Sequence, residues 1–366
     1  MKIKNVKLKI AQENLDALLI SSVTNILYLT GYPGFADPNR REAFVLIAPK
    51  SQYVITSALY AEEIQKTSPE FTLVEISREK SFSQAIQSVI KKENLKKIGF
   101  EPHKLYVAEY LQLKKELPLV TTDYIVESAR QKKSDGEIAA IQKACEIGDN
   151  AFLFILTKIK EGITEKELAF ELEFFIKKQG ATLSFDSIVA FGAHASMPHY
   201  QTGNSKLKKN SFVLLDFGVK IDNYCSDMTR TIFFGKPTNE QKKMYDAVYQ
   251  GQQKAIRQCN NLTMKQSAKK VKVSEVDKAA RTYIERQGYP SIPHSLGHGI
   301  GIDVHELPII SPNSKSELSE GMVFSIEPGI YIPNFGGVRI EDLFALEKNK
   351  LRQLTHSPSK KLIELQ

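Results

Sequence analysis

SFVLLDFGVKIDNYCSDMTRTIFFG, residues 211–235, decides how this chain is read. It is rich in β-branched and aromatic residues, and Asp222-Asn223 supplies a turn, so it reads as a β-hairpin. Asp216 and Asp227 lie almost equally far from that turn, which places them near each other on facing strands. Asp216 follows the apolar run Phe212 to Leu215. Two carboxylates facing each other at a buried edge repel unless something positive joins them, and a metal ion is the simplest candidate.

The arrangement recurs in GMVFSIEPGIYIPNFGGVRIEDLFAL, residues 321–346. There Glu327 and Glu341 flank a turn centred on Asn334, again within apolar strand sequence. Between the two hairpins lies HSLGHGIGIDVHE, residues 294–306, with three of the seven histidines. His294 and His298 have the i, i+4 spacing of a zinc-protease helix, but Gly297, Gly299 and Gly301 disfavour a helix there. Glycines around His298 instead suggest close approach of backbone to a ligand. Asp216, Asp227, His298, Glu327 and Glu341 together offer four carboxylates and one imidazole, which matches two divalent cations. Such hard donors favour manganese, cobalt or zinc. Two adjacent ions bridged by carboxylates are a hydrolytic device.

Outward from this region, helix signatures come in pairs. Ser134 with Glu137 and Thr164 with Glu167 form capping boxes before helices expected over 135–161 and 165–179. Thr238 with Gln241 opens a third over 239–258, and Ser274 opens a fourth over 275–287. A helix pair followed by strand sequence, twice, suggests two similar halves folded face to face. Residues 1 to about 125 alternate strand-like stretches (Ala17–Ser21, Ala43–Ile47, Tyr53–Thr56, Phe71–Ile76, Lys97–Phe100) with helical ones (Ala58–Lys66, Ser81–Glu93, Tyr106–Glu116), the pattern of a small α/β domain. The division expected is 1–128 for this domain and 129–366 for an α+β catalytic domain.

The chain has 366 residues, enough for two domains with proper cores. Cys145, Cys225 and Cys259 lack the spacing of a disulfide framework or a thiolate zinc site, which fits a reducing cytoplasm. The longest apolar runs are too short for a membrane span, and the basic N-terminus lacks a signal-peptide core. The net charge is +8, yet residues 1–130 carry 18 basic and 15 acidic side chains, so the excess is spread thinly. A lysine-rich solvated surface, with no nucleic-acid partner, is the reading adopted.

On these motifs the chain resembles the pita-bread metallopeptidases, specifically the Xaa-Pro aminopeptidase and prolidase group. The likeness covers roughly residues 125–350. It is carried by PHY (198–200), LLDFG with CSDMTRT (214–231), HSLGHGIGIDVHE (294–306), SIEPGIYI (325–332) and GGVRIED (336–342). The resemblance implies that Asp216, Asp227, His298, Glu327 and Glu341 are dinuclear metal ligands, with Asp227 and Glu341 bridging and manganese the foremost metal. It implies that Glu327 also moves a proton, that His199 assists proton transfer, and that His305 hydrogen-bonds the substrate carbonyl. His294 would line the proline pocket. Arg339 would lie near the substrate, with salt-bridging to carboxylates as its alternative, whereas Tyr200 and Cys225 read as packing residues. The implied reaction is hydrolysis of the bond before proline by a cytoplasmic homodimer acting on short peptides. Xaa-Pro aminopeptidase is the leading activity and Xaa-Pro dipeptidase the alternative. Methionine aminopeptidase, a metal-free creatinase-like hydrolase and a non-enzymatic binding protein are weaker readings.

Overall fold

The computed structural model describes residues 2–35, 40–264, 271–348 and 350–366. The chain divides into two compact units, Met1–Arg130 and Gln131–Gln366.

The first unit is an α/β layer structure on a six-stranded sheet. Its spatial order is Thr72–Ile76, Gln52–Ser57, Ala43–Ile47, Ala17–Ile20, Ile98–Phe100, Leu119–Thr121. Ala43–Ile47 runs antiparallel to both neighbours, and the outer pairings are parallel. The two central strands ALLI and AFVLI are buried at every position, which is why they read as unbroken apolar runs. The basic N-terminus is a helix, Lys2–Gln12, with Val6 and Ile10 buried one turn apart. Two further short helices, Val23–Thr30 and Ile125–Arg130, and the strand Leu119–Thr121 lie outside the elements expected from sequence.

The second unit repeats a helix pair and a sheet. Ser134 and Thr164 cap Asp135–Leu156 and Glu165–Lys178, and Glu137 and Glu167 reach back to the cap backbone. The first of these helices stops at Leu156, short of the expected 161. There the Thr157 and Lys158 N–H groups bond carbonyls three residues back, the tightening that ends a helix. The third helix, Asn239–Met264, outruns its expected end at 258. The fourth is Val273–Arg286, and Ser274 lies inside it rather than capping it. Its start is set by the strand Val271–Lys272, which pairs with Glu317–Leu318 and delivers the chain in extended conformation.

Both hairpins form. Ser211–Phe217 pairs with Met228–Phe234 so that Asp216 faces Thr229, and the same register continues where Val219–Ile221 meets Tyr224–Cys225. Asp222 and Asn223 both adopt positive φ, 51° and 68°, as a two-residue hairpin turn requires. The two acids therefore lie near each other on facing strands, as their distance from the turn suggests: the register sets Asp227 two residues along from the position opposite Asp216, a diagonal neighbour on the same face. In the second hairpin Ile326 faces Asp342 and Gly329 faces Arg339. Continued between them, that register sets Glu327 opposite Glu341.

Alternation divides the core. Val213, Leu215, Phe217, Ile232 and Phe234 pack with the first helix pair. Phe212, Leu214 and Phe233, on the other face of the same two strands, pack with the second helix pair and the second sheet. Asp216 shares the face of Phe212 and Leu214, and Asp227 that of Thr229 and Phe233, so both acids point toward the second half.

Candidate metal centre

Four backbone segments converge here: the turn-facing ends of the first hairpin's long strands, the Glu327/Glu341 step of the second, strand Gly297–Gly299, and the segment leading to His305. Asp227, His298 and Glu341 are buried and place donor atoms all within 4.8 Å of one another. His298 Nε2 is 3.3 Å from Glu327 Oε1 and 3.6 Å from Asp227 Oδ2. Asp216 sits beside them, with Oδ2 held at 2.5 Å by Arg339 Nη2.

The glycines that flank His298 allow this approach. A Cβ at Gly297 would lie 2.1 Å from the Ser325 carbonyl oxygen, and one at Gly299 would lie 2.2 Å from that of Leu307. Only glycine lets this strand insert between its neighbours. His298 N–H donates to Ser325 Oγ, and its Nδ1–H donates to Gly299 O at 3.0 Å. A carbonyl can only accept, so Nδ1 carries the proton and Nε2 turns a lone pair to the acids. Burial, followed by the neighbouring His305, lowers the His298 pKa to about 4, so the ring is neutral.

The acids are strained electrostatically. Burial and the charges of Asp216 and Glu327 push the Asp227 carboxyl well above its usual range. Burial and the charge of Asp227 do the same to Glu341. Burial raises Glu327 to about 8, opposed by Arg339. Asp227 Oδ1 and Glu341 Oε1 are buried without a hydrogen-bond partner among the described residues. Orphaned, mutually repelling carboxylate oxygens around an imidazole lone pair fit divalent cations on donor chemistry alone. Asp227, Glu341, His298, Glu327 and Asp216 would hold them.

A second polar chain runs behind the acids. Arg339 donates from Nε to Thr229 Oγ1 (3.0 Å) and from Nη1 to Tyr331 Oη (2.9 Å). Thr229 Oγ1 donates onward to Glu341 Oε2 at 2.8 Å. His294 donates from Nδ1 to Ser295 O, which leaves Nε2 to accept from Tyr331 Oη at 2.8 Å. Burial lowers the His294 pKa to about 4, consistent with a neutral ring. Arg339 thus forms a salt bridge to Asp216 within this group. His305 stacks edge-on against His298 with ring centroids 4.4 Å apart. His199 is exposed and close enough to act electrostatically on both His294 and His305.

Sequence reasoning missed Thr229, Tyr331 and the buried pair Lys133–Glu306. Glu306 accepts from Ile302 and Asp303 N–H, bracing the segment before His305. Tyr200 and Cys225 were read as packing residues. Both do pack against apolar cores, and Tyr200 also donates a hydrogen bond to Glu165, while the Cys225 thiol lies against Ile302 O.

The profile of metallopeptidase family M24 matches residues 139–348, and that of the creatinase/prolidase N-terminal domain matches residues 2–132. The chain is 34% identical over 360 residues to a Pyrococcus horikoshii protein named Xaa-Pro dipeptidase, covering 97% of this chain and 96% of that one. Its fold is similar to a Bacillus anthracis structure titled Xaa-Pro dipeptidase, with TM-score 0.91, 34% identity and coverage of 100% and 99%. It is also similar to a Thermotoga maritima X-Pro aminopeptidase structure, with TM-score 0.85, 30% identity and coverage of 96% and 98%.

Proposed function

Because the chain belongs to metallopeptidase family M24 and carries a creatinase/prolidase N-terminal domain ahead of it, we propose that it hydrolyses the peptide bond before proline in short peptides. The observation that carries this reading is the pair of buried acids Asp227 and Glu341, with half-buried Glu327, around the neutral Nε2 of His298. Two divalent cations, manganese foremost, would neutralise these acids and supply Lewis acidity to activate water and polarise the scissile carbonyl.

The chain's own groups do the rest. Glu327, beside the cations it would hold, would take and return a proton at a carboxylate oxygen. His305 faces the reacting carbonyl, and His199 at the mouth serves proton transfer to the leaving nitrogen. Neutral His294, fixed by Tyr331, walls the pocket for the proline ring. Arg339 orients Asp216. The bond before proline is a tertiary amide with restricted geometry, which makes a dedicated pocket useful.

The leading sequence reading was aminopeptidase. Both relatives at 34% identity carry the name Xaa-Pro dipeptidase, which favours dipeptides as the preferred substrate. Release of the first residue from longer Xaa-Pro peptides is the second reading, supported by the Thermotoga neighbour. A homodimer and a reducing cytoplasm complete the proposal, the latter supported by three buried free cysteines. Among the described residues no helix is long and apolar enough to cross a membrane.

The test uses protein stripped of metal and reloaded with manganese. Xaa-Pro dipeptides, Xaa-Pro-Yaa tripeptides and Met-Ala peptides are compared. Cleavage of proline substrates supports the proposal, and the ratio of dipeptide to tripeptide turnover decides between the two readings. Loaded protein that cuts neither proline substrate refutes it.

A further inference from the structure

His199 is exposed, and among the described residues its side chain makes no hydrogen bond of its own. Its position therefore depends on how the backbone around it is held. That backbone runs from Phe191 through the short 3-10 turn Gly192–Ser196 to Gly203. One carboxylate ties both ends of it. Glu165 Oε1 accepts from Phe191 N–H at 2.9 Å and lies 2.8 Å from His194 Nδ1. Glu165 Oε2 accepts from Tyr200 Oη–H at 2.8 Å and from Gly203 N–H at 3.1 Å. The His194 and Tyr200 rings stack 4.5 Å apart, closing the two ends on each other. A Cβ at Gly203 would lie 2.9 Å from Tyr200 Oη and 3.3 Å from Glu165 Oε2, so the backbone here passes close to the clamp.

Glu165 is fully buried and is the first residue of helix Glu165–Lys178, where the helix N-terminus favours a negative charge. A buried carboxylate is costly unless its lone pairs are filled, and all four of these partners lie within one loop. Among the described residues none of its side-chain hydrogen bonds goes to the metal-ligand candidates. We propose that Glu165 is a positioning residue for the reaction, clamping residues 191–203 so that His199 is presented to the reacting centre. The proposal rests on the assignment of His199 to proton transfer made above.

The test is a set of double-variant cycles in manganese-loaded protein, because a group acting only through another adds nothing once the other is gone. Glu165→Gln keeps the size of the side chain but turns one oxygen into an amide that cannot accept from its two donors. It should lower kcat on a Xaa-Pro substrate by roughly 10- to 100-fold, the scale of a small misplacement of a reacting group. KM and the number of bound metal ions should stay at the wild-type values, and deuterium uptake across 191–203 should rise. In a His199→Ala background the same change should cost no further activity. Tyr200→Phe, which removes one hydroxyl, gives a milder cycle of the same form should Glu165→Gln not fold. Losses that multiply in the double variants, or full activity in Glu165→Gln or in a folded Tyr200→Phe, overturn the clamp. Full activity in His199→Ala alone overturns the role of His199, and the clamp with it.

Discussion

Thr229→Val isolates one hydroxyl at the centre of the site. Thr229 is fully buried; its Oγ1 accepts from Arg339 Nε and donates to Glu341 Oε2. Glu341 Oε1 already lacks a partner, so valine would leave that carboxylate with no side-chain hydrogen bond among the described residues. The strand should survive, since Glu341 N–H and Arg230 Nη1 bond the Thr229 backbone carbonyl, not its side chain. Valine also suits a strand. A hydrogen bond to a charged group contributes about 1.5–3 kcal/mol. At about 1.4 kcal/mol per tenfold in an equilibrium constant, cation binding should weaken roughly 10- to 100-fold. That matches the loss seen when the partner behind a metal-ligating group is removed. The assay is calorimetric titration of metal-free protein with manganese, with circular dichroism to show that the variant is folded. Affinity within twofold of wild type, in folded protein, would refute the claim that Thr229 orients Glu341.

Metal-free protein should lose stability as pH rises from 6.5 to 8. Glu327 has its folded pKa raised from 4.5 to about 8, so its contribution is full below 4.5 and lost as pH climbs to 8. Buried His294 and His298, lowered from 6.5 to about 4, give the opposite slope only below 6.5. Each such carboxyl contributes up to about 1.4 kcal/mol per pH unit, so a flat melting temperature across 6.5–8 in chelator would contradict the burial of the acids. Gly337→Ala should destabilise by about 1–3 kcal/mol, because its Cβ would lie 1.9 Å from the Ala195 carbonyl oxygen. A melting temperature equal to wild type would show that the 3-10 turn yields freely. Arg230→Met should cost about 3–5 kcal/mol by removing the buried ion-pair partner of Asp342, and a denaturant midpoint within error of wild type would count against it.

The parts of the fold legible in sequence are those written in short local patterns. Runs of apolar, β-branched and aromatic residues mark both hairpins, and Asp222-Asn223 marks the first turn. Capping boxes mark the starts of the first three catalytic helices. The fourth start was misread because Ser274 looks like a cap, while strand pairing at Val271–Lys272 does that work. The helix end at Leu156 was missed because the terminating 3-10 bonds leave no compositional trace ahead of Gly162. The acid and imidazole residues stand out because such groups are conspicuous in apolar strands. Their supports do not: Thr229 reaches Glu341 and Arg339 across more than a hundred residues, and Glu165 looks like any acid in a helix's first turn. Such long-range pairs leave no local pattern to read.

The strands Ser211–Phe217 and Met228–Phe234 feed two cores, one on each face. A chain ending after this hairpin would leave Phe212, Leu214 and Phe233 as a sticky face, and the remedy open to it would be association with a second molecule. By joining two such halves through a linker of only a few residues, Gly235–Thr238, the protein makes that association intramolecular. The acids at the seam then meet at a fixed effective concentration, independent of how dilute the protein becomes.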